Sequence, residues 1–231
     1  MLPQTLLKGK IFKDKLYSDK YLSGVWSTLG SENIAHIMAN SGLDYILIDL
    51  EHGLGGFETV TKQVLSILSL DTAVMVRLPD HSESSIKRIL DAGANAILVP
   101  QVNNVDQAQK ILNYSLFAPE GSRGVAVGQI PASDFGYKPE EYFANANECL
   151  SIFIQIETLD GVKNLDGIIK SKIDGIFVGP NDLSSSMNLF RQYNNPNFIN
   201  TFYEIRDKTL NSGKLLGSLP FDGQDLSLIH I

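Results

Sequence analysis

From Leu22 to Gly213 one rhythm repeats: a short apolar run, a polar or glycine-containing turn, then an amphipathic segment. Leu22-Ser23-Gly24-Val25-Trp26 opens it, and a helical pattern from Glu32 to Ser41 follows, closed by Gly42. Further apolar runs lie at Asp44 to Leu50, Ala73 to Leu78, Ala96 to Val102, Leu150 to Glu157, Asp174 to Val178 and Lys214 to Leu219. Between them, helical patterns occupy Glu58 to Ser69, Ser84 to Ala92, Val105 to Tyr114, Gly161 to Ser171 and Asn197 to Ser212. Runs this dense in Val, Ile, Leu and Phe read as strands buried on both faces, and such strands belong to parallel sheets covered by helices. Six or seven such units in one undivided chain favour a (β/α)8 TIM barrel over an open doubly wound sheet. No G-x-G-x-x-G follows any run, which weakens the dinucleotide-binding alternative.

The 231 residues suffice for one large domain, and the formal net charge of −7 argues against binding nucleic acid or an anionic membrane. Cys149 is the one cysteine, so no internal disulfide forms and a reducing compartment is expected. Met1 to Tyr21 has lysines throughout and no apolar core of a signal peptide, and no apolar run reaches transmembrane length. The expected address is the cytoplasm. Phe117 to Asn147 is a long interruption rich in Gly, Pro and Asn, of the kind that forms binding loops. The twelve residues after Leu219 are too few for an eighth strand and helix. The last six, Leu226 to Ile231, also read as CTG TCT CTT ATA CAC ATC, one frame of a widely used sequencing-transposon end. The expectation is a single barrel domain over 1–231, truncated before its eighth unit, with 220–231 an anomalous tail from a read into adapter. The alternative is a natural short C-terminus.

In a barrel of this kind the active site lies at the C-terminal ends of the strands. The polar residues there are Asp49, Glu51 and His52 after the second run, Arg77 after the third and Gln101 after the fourth. Gln155 and Glu157 end the fifth, and Gly179-Pro180-Asn181-Asp182 follows the sixth. Glu157 and Asp182 end successive strands, which neighbour one another about 5 Å apart in a parallel sheet. Two carboxylates so placed repel unless protonated or bridged by a cation. An oxygen-only set suits Mg²⁺ or Mn²⁺, with Co²⁺ or Zn²⁺ able to substitute. The bland alternative pairs Glu157 with a lysine or a helix end and makes Asp182 a loop cap. Arg77 offers a fork for oxyanions, or else a structural ion pair with Asp49 or Glu51. His52 is the general-base candidate, its basicity raised by Asp49 or Glu51, unless it only packs a loop. His36 lies inside a helix and His81 in a loop, and Cys149 reads as packing.

These residues sit in LIDLEHG, VRLP, LDAGANAILVPQV, GSRGV, QIET and GPNDLS. Together the motifs resemble the HpcH/HpaI aldolase family, the metal-dependent class II pyruvate aldolases of 2-keto-3-deoxy sugar acids and 4-hydroxy-2-oxo acids. The resemblance runs from about Leu22 to Leu219. It implies Glu157 and Asp182 as metal ligands, His52 as base, Arg77 as the oxyanion's partner and Gln155 as a substrate contact. It also implies that the main chain near Gly179, Pro180 and Asn181 holds the pyruvate carboxylate. By the same resemblance, Asp91 works with the histidine of a neighbouring subunit, and the barrels assemble as homo-oligomers, hexamers in relatives. The implied reaction is reversible cleavage to pyruvate and an aldehyde through a metal-stabilised enolate. The alternatives are a metal-dependent 2-oxo acid decarboxylase, a citrate-lyase-β-like acyl-CoA lyase, and an inactive barrel that binds a small acid.

Overall fold

The structure is a computed structural model that describes residues 2–18 and 21–221. The expectation for the tail therefore lies, from residue 222 on, outside the described residues. Among the described residues are seven strands: β1 (Gly24–Ser27), β2 (Tyr45–Asp49), β3 (Ala73–Arg77), β4 (Ala96–Val99), β5 (Ser151–Ile156), β6 (Gly175–Val178) and β7 (Leu215–Ser218). The helices are α1 (Gln4–Leu16), α2 (Glu32–Ala39), α3 (Phe57–Ser66), α4 (Glu83–Ala92), α5 (Val105–Ser115), α6 (Pro139–Cys149), α7 (Leu159–Lys163), α8 (Leu165–Ile168), α9 (Pro180–Ser186) and α10 (Pro196–Asn211). Parallel strands alternating with helices form the repeat of the (β/α)8 barrel class, as the apolar rhythm predicts. No helix among the described residues is long and apolar enough to cross a membrane.

The chain divides into two compact units, one built on residues up to Leu98 with Ile111–Ser151, the other on Val99–Lys110 with the chain from Ile152 on. In the first, β1 to β4 lie in chain order and pair in parallel. Every residue of β2 and β3 is buried, which is why these runs carry Val, Ile, Leu and Met without alternation. Their register sets Asp49 opposite Arg77. Helix α4 begins where the Ser82 hydroxyl accepts the Ser85 N–H at 3.2 Å, and it ends at Gly93, whose φ of 102° suits a residue without Cβ.

Helix α1 was not legible in the lysine-rich N-terminus. Its buried face carries Leu6, Phe12 and Leu16. Polar anchors complete the seat: Thr5 Oγ1 donates to the Ala132 carbonyl at 2.6 Å, and Lys8 Nζ donates to the Ile67 carbonyl at 2.8 Å. Burial lowers the Lys8 ammonium to a pKa of about 8, against a smaller opposing pull from Asp71. Within Phe117 to Asn147 the structure places turns at Pro131–Gly136 and then α6. Cys149 is buried in an apolar cluster with Phe117, Tyr142 and Ala146, in line with its reading as packing.

In the second unit β5, β6 and β7 also follow chain order in parallel pairs. The register of Ile156 with Val178 brings Glu157 level with Gly179. The expected helix from Gly161 to Ser171 is two short helices, α7 and α8. The break falls at Asn164, which ends α7 and opens α8; Gly167 lies within α8, where a Cβ would stand 2.5 Å from Val105 Cγ2.

Candidate active site

In the first unit the strand-end residues form a dense ionic group. Asp49 and Arg77 end adjacent strands in register and point to the same face. Arg77 Nε donates to Asp49 Oδ1 at 2.9 Å and Nη2 to Oδ2 at 2.7 Å, a bidentate fork. Arg77 Nη1 lies 2.7 Å from Glu51 Oε2, and the guanidinium carbon stands 4.4 Å from the centre of the Trp26 ring. Asp49 Oδ1 also accepts the backbone N–H groups of Glu51 and His52, at 3.0 and 3.3 Å. Burial pushes the Asp49 carboxyl up, but Arg77 and these two N–H groups more than offset it and hold it below the usual carboxylate range. The ion pair foreseen as an alternative for Arg77 is thus formed. Hydrogen bonds to Asp49 engage one hydrogen on Nε and one on Nη2, whereas the Nη1–Glu51 contact is an ion pair by distance without hydrogen-bond geometry. The His52 side chain is exposed in the loop after β2.

Asp91 is not brought to this group. It sits at the far end of α4, a ten-residue helix, so about 15 Å of helix separates it from the loop after β3. There it pairs with Arg123, whose Nη2 is 2.7 Å from Asp91 Oδ1 and donates to Tyr142 Oη at 3.1 Å. Phe117 lies under the Arg123 guanidinium at 4.5 Å. His36, set aside from the sequence, has Nδ1 2.8 Å from the Ser66 carbonyl oxygen, a helix-to-helix link between α2 and α3.

In the second unit Glu157 is 3% exposed and follows β5 directly. Its Oε2 accepts from Gln155 Nε2, and its Oε1 accepts the Gln101 backbone N–H at 2.8 Å. Gln101 has φ 53°, the left-handed region that a residue with a side chain adopts only under constraint, and this turn aims its N–H at the carboxylate. Gln155 is 2% exposed, and its Oε1 is buried without a hydrogen-bond partner among the described residues. Gly179 closes the group: a Cβ there would lie 2.5 Å from Glu157 Oε2 and 2.7 Å from Gln155 Nε2. Pro180 opens α9, and Asn181 and Asp182 are exposed in its first turn. Asp182 makes no side-chain hydrogen bond or ion pair with another described residue.

Among the described residues, no group of three or more His, Cys, Asp or Glu side chains is placed to hold a metal ion. The donor set nonetheless fits a divalent cation of the hard, oxygen-binding kind. It offers a buried carboxylate that accepts from two neutral N–H donors, a second carboxylate, Asp182, three residues beyond the Gly179 that faces Glu157, and an amide oxygen that accepts nothing among the described residues. Mg²⁺ and Mn²⁺ sites are commonly this sparse, with waters and substrate oxygens filling the octahedron. The sequence missed the Trp26 stack and the Gln101 main chain. A lone tryptophan at a strand end was a signal for the first, but nothing local announces the second.

Strands of a βα repeat whose C-terminal ends carry acidic, basic and amide groups define an enzyme-like barrel site. Residues 22–224 match the family model described as HpcH/HpaI aldolase/citrate lyase, and the chain belongs to that family. A hydroxypyruvate/pyruvate aldolase of Roseobacter denitrificans is 34% identical over 91% of this chain and 82% of its own length. A 2-keto-3-deoxy-L-rhamnonate aldolase of Klebsiella pneumoniae is 34% identical over 91% of this chain and 79% of its own. Among solved structures, an HpcH/HpaI aldolase/citrate lyase family protein from Burkholderia cenocepacia superposes with a TM-score of 0.86 at 29% identity, covering 90% of this chain and 84% of that one.

Proposed function

We propose that this protein is a class II aldolase that reversibly cleaves a 2-keto-3-deoxy sugar acid or 4-hydroxy-2-oxo acid to pyruvate and an aldehyde. The observation that carries the reading is Glu157, a buried carboxylate with each oxygen held by a neutral N–H donor, beside the unpartnered Gln155 Oε1. Glu157 and Asp182 hold a divalent cation, Mg²⁺ or Mn²⁺ first, with Co²⁺ or Zn²⁺ as substitutes. Such a cation supplies a Lewis acid for the oxygens of a 2-oxo acid.

The chain's own residues do the rest. Gln101 and Gln155 fix the direction in which Glu157 presents its oxygens. Gln155 and the main chain at Gly179, Pro180 and Asn181 contact the substrate. Arg77 offers N–H groups not used by Asp49 to the oxyanion that develops on cleavage, and Asp49 and Glu51 keep the fork in place. His52 takes the proton of the C4 hydroxyl as the carbon–carbon bond breaks and returns it in the aldol direction. Asp91, held by Arg123, acts on the His52 of a neighbouring copy, so the working form is a homo-oligomer, and the address is the cytoplasm.

The test is pyruvate release from a 2-keto-3-deoxy acid after treatment with EDTA and after adding back Mg²⁺ or Mn²⁺. Loss and recovery are expected. Activity that survives thorough chelation, or trapping of a substrate adduct by borohydride, overturns the mechanism. A panel with oxaloacetate and citramalyl-CoA separates decarboxylase and acyl-CoA lyase activity from the aldol reaction.

A further inference from the structure

Beyond the Gly179–Asp182 turn, the second unit ties its chain back to Asn181 twice. Tyr193 Oη donates to Asn181 Oδ1. Ser184 Oγ donates to the Asn181 carbonyl oxygen at 2.8 Å and accepts the Arg191 N–H at 3.2 Å. Left-handed backbone at Asn188 and Arg191, each with φ 57°, bends the intervening segment so that both links close. Strain of this kind persists only where surrounding contacts over-determine it.

The donor to Asn181 is itself held fast. Tyr193 is 6% exposed, and its ring packs against Phe198, with centroids 5.5 Å apart, and Phe221, at 5.2 Å. The hydroxyl cannot swing away without opening this aromatic cluster. Asn181, in contrast, is exposed. An asparagine can present either a carbonyl or an NH₂ group, and which one faces outward depends on what the other touches. With Oδ1 accepting from Tyr193, the amide is held so that its NH₂, which only donates and has no partner among the described residues, is turned away from the hydroxyl.

We infer that Asn181 is a specificity-determining residue, set by Tyr193, that donates to a hydroxyl or carboxylate oxygen on the aldehyde half of the substrate. This rests on the aldolase reading. In that reading Asp182, the next residue, holds the cation, and the oxygens of the pyruvyl half are already matched by the cation, Gln155 and the main chain of residues 179–181. The Asn181 amide is the donor left over, one residue from the bound pyruvyl group. A hydroxylated or carboxylated aldehyde satisfies it, whereas an alkyl aldehyde leaves its N–H groups unpaired once water is excluded. Tyr193 touches no substrate and is a positioning residue: without it the amide is free to flip and present its oxygen.

The experiment is aldol addition of pyruvate by the Mn²⁺-loaded full chain, with glyceraldehyde, glyoxylate and propanal as acceptors. The readout is the ratio of kcat/KM for glyceraldehyde, and for glyoxylate, to that for propanal, which does not depend on the folded fraction. The ratios are expected to fall about tenfold or more in Asn181→Ala and Asn181→Asp, the size expected when a built hydrogen bond to substrate is lost. Tyr193→Phe is expected to move them several-fold in the same direction. Ratios unchanged in both Asn181 variants overturn the assignment of Asn181, and ratios unchanged in Tyr193→Phe alone overturn the locking. A wild-type chain that uses no acceptor at all overturns the aldolase reading itself, and the inference with it.

Discussion

Asp49 ends β2 and Glu157 follows β5; each is 3% exposed, yet the groups that hold them differ in kind. Asp49 is gripped by a bidentate arginine and two main-chain N–H groups. Glu157 accepts hydrogen bonds from a glutamine amide and a main-chain N–H. A guanidinium cancels a buried charge and fixes its position at once. Dipoles aim a carboxylate while leaving its charge available. The first unit therefore builds an ionic scaffold around Asp49, and the second directs a carboxylate with neutral donors.

The sharpest way to break this comparison is Glu157→Gln, which keeps the shape and removes the charge. Mn²⁺ affinity, followed by electron paramagnetic resonance, and aldol activity are expected to drop on the order of 10³-fold, with little change in melting temperature. Unchanged Mn²⁺ binding would put the cation elsewhere. Arg77→Ala should do the reverse and strike stability. Leaving Asp49 buried without its cation costs about 3–5 kcal/mol, read from urea midpoints. The same pair sets a pH dependence. Asp49 is held below its ordinary pKa, so its contribution is complete above the unfolded carboxylate range and fades as pH falls through the folded value. The acid-side loss of stability should shrink in Arg77→Ala, and an unchanged acid limb would argue against the pairing.

Lys8 sharpens the comparison from the opposite sign, being a buried cation held by a carbonyl. Its folded pKa of about 8 lies below the unfolded 10.5, so between these values the unfolded chain binds more protons and stability rises with pH. Denaturation at pH 7.5 and 10.5 should therefore show wild type gaining on Lys8→Met by on the order of 2–3 kcal/mol. A flat difference would mean that water reaches the ammonium. The smallest effect expected is in Gly179→Ala. A Cβ lying 2.5 Å from Glu157 Oε2 must displace the carboxylate, costing about 1–3 kcal/mol in stability and weakening Mn²⁺ binding. Wild-type affinity there would show that the Glu157 group is not closely packed.

Seven strands were legible because parallel, doubly buried strands write themselves as unbroken apolar runs, as in Tyr45–Asp49 and Ala73–Arg77. Helix α1 was hidden by its own composition. Four lysines dilute an apolar stripe that only the packing of Phe12 and Leu16 makes evident. The split of α7 from α8 was equally invisible, since it falls at Asn164, a residue that helices admit. Of the candidate site residues, Asp49, Glu51 and Arg77 come together, as do Gln155, Glu157 and Gly179, while Asp91, expected to act with a neighbouring subunit, pairs with Arg123 within this chain.

What the amino-acid sequence determined alone was the βα repeat and the stock of chemical groups at the strand ends. Both follow from local periodicity and residue type, which need no knowledge of distant contacts. Tertiary structure alone decided the partners. The Gln101 N–H meets a carboxylate 56 positions away because its backbone turns left-handed, and Tyr193 reaches Asn181 because a bent segment folds back. Such contacts depend on register and loop closure. One residue of slip would exchange every partner while leaving the apolar pattern as it was.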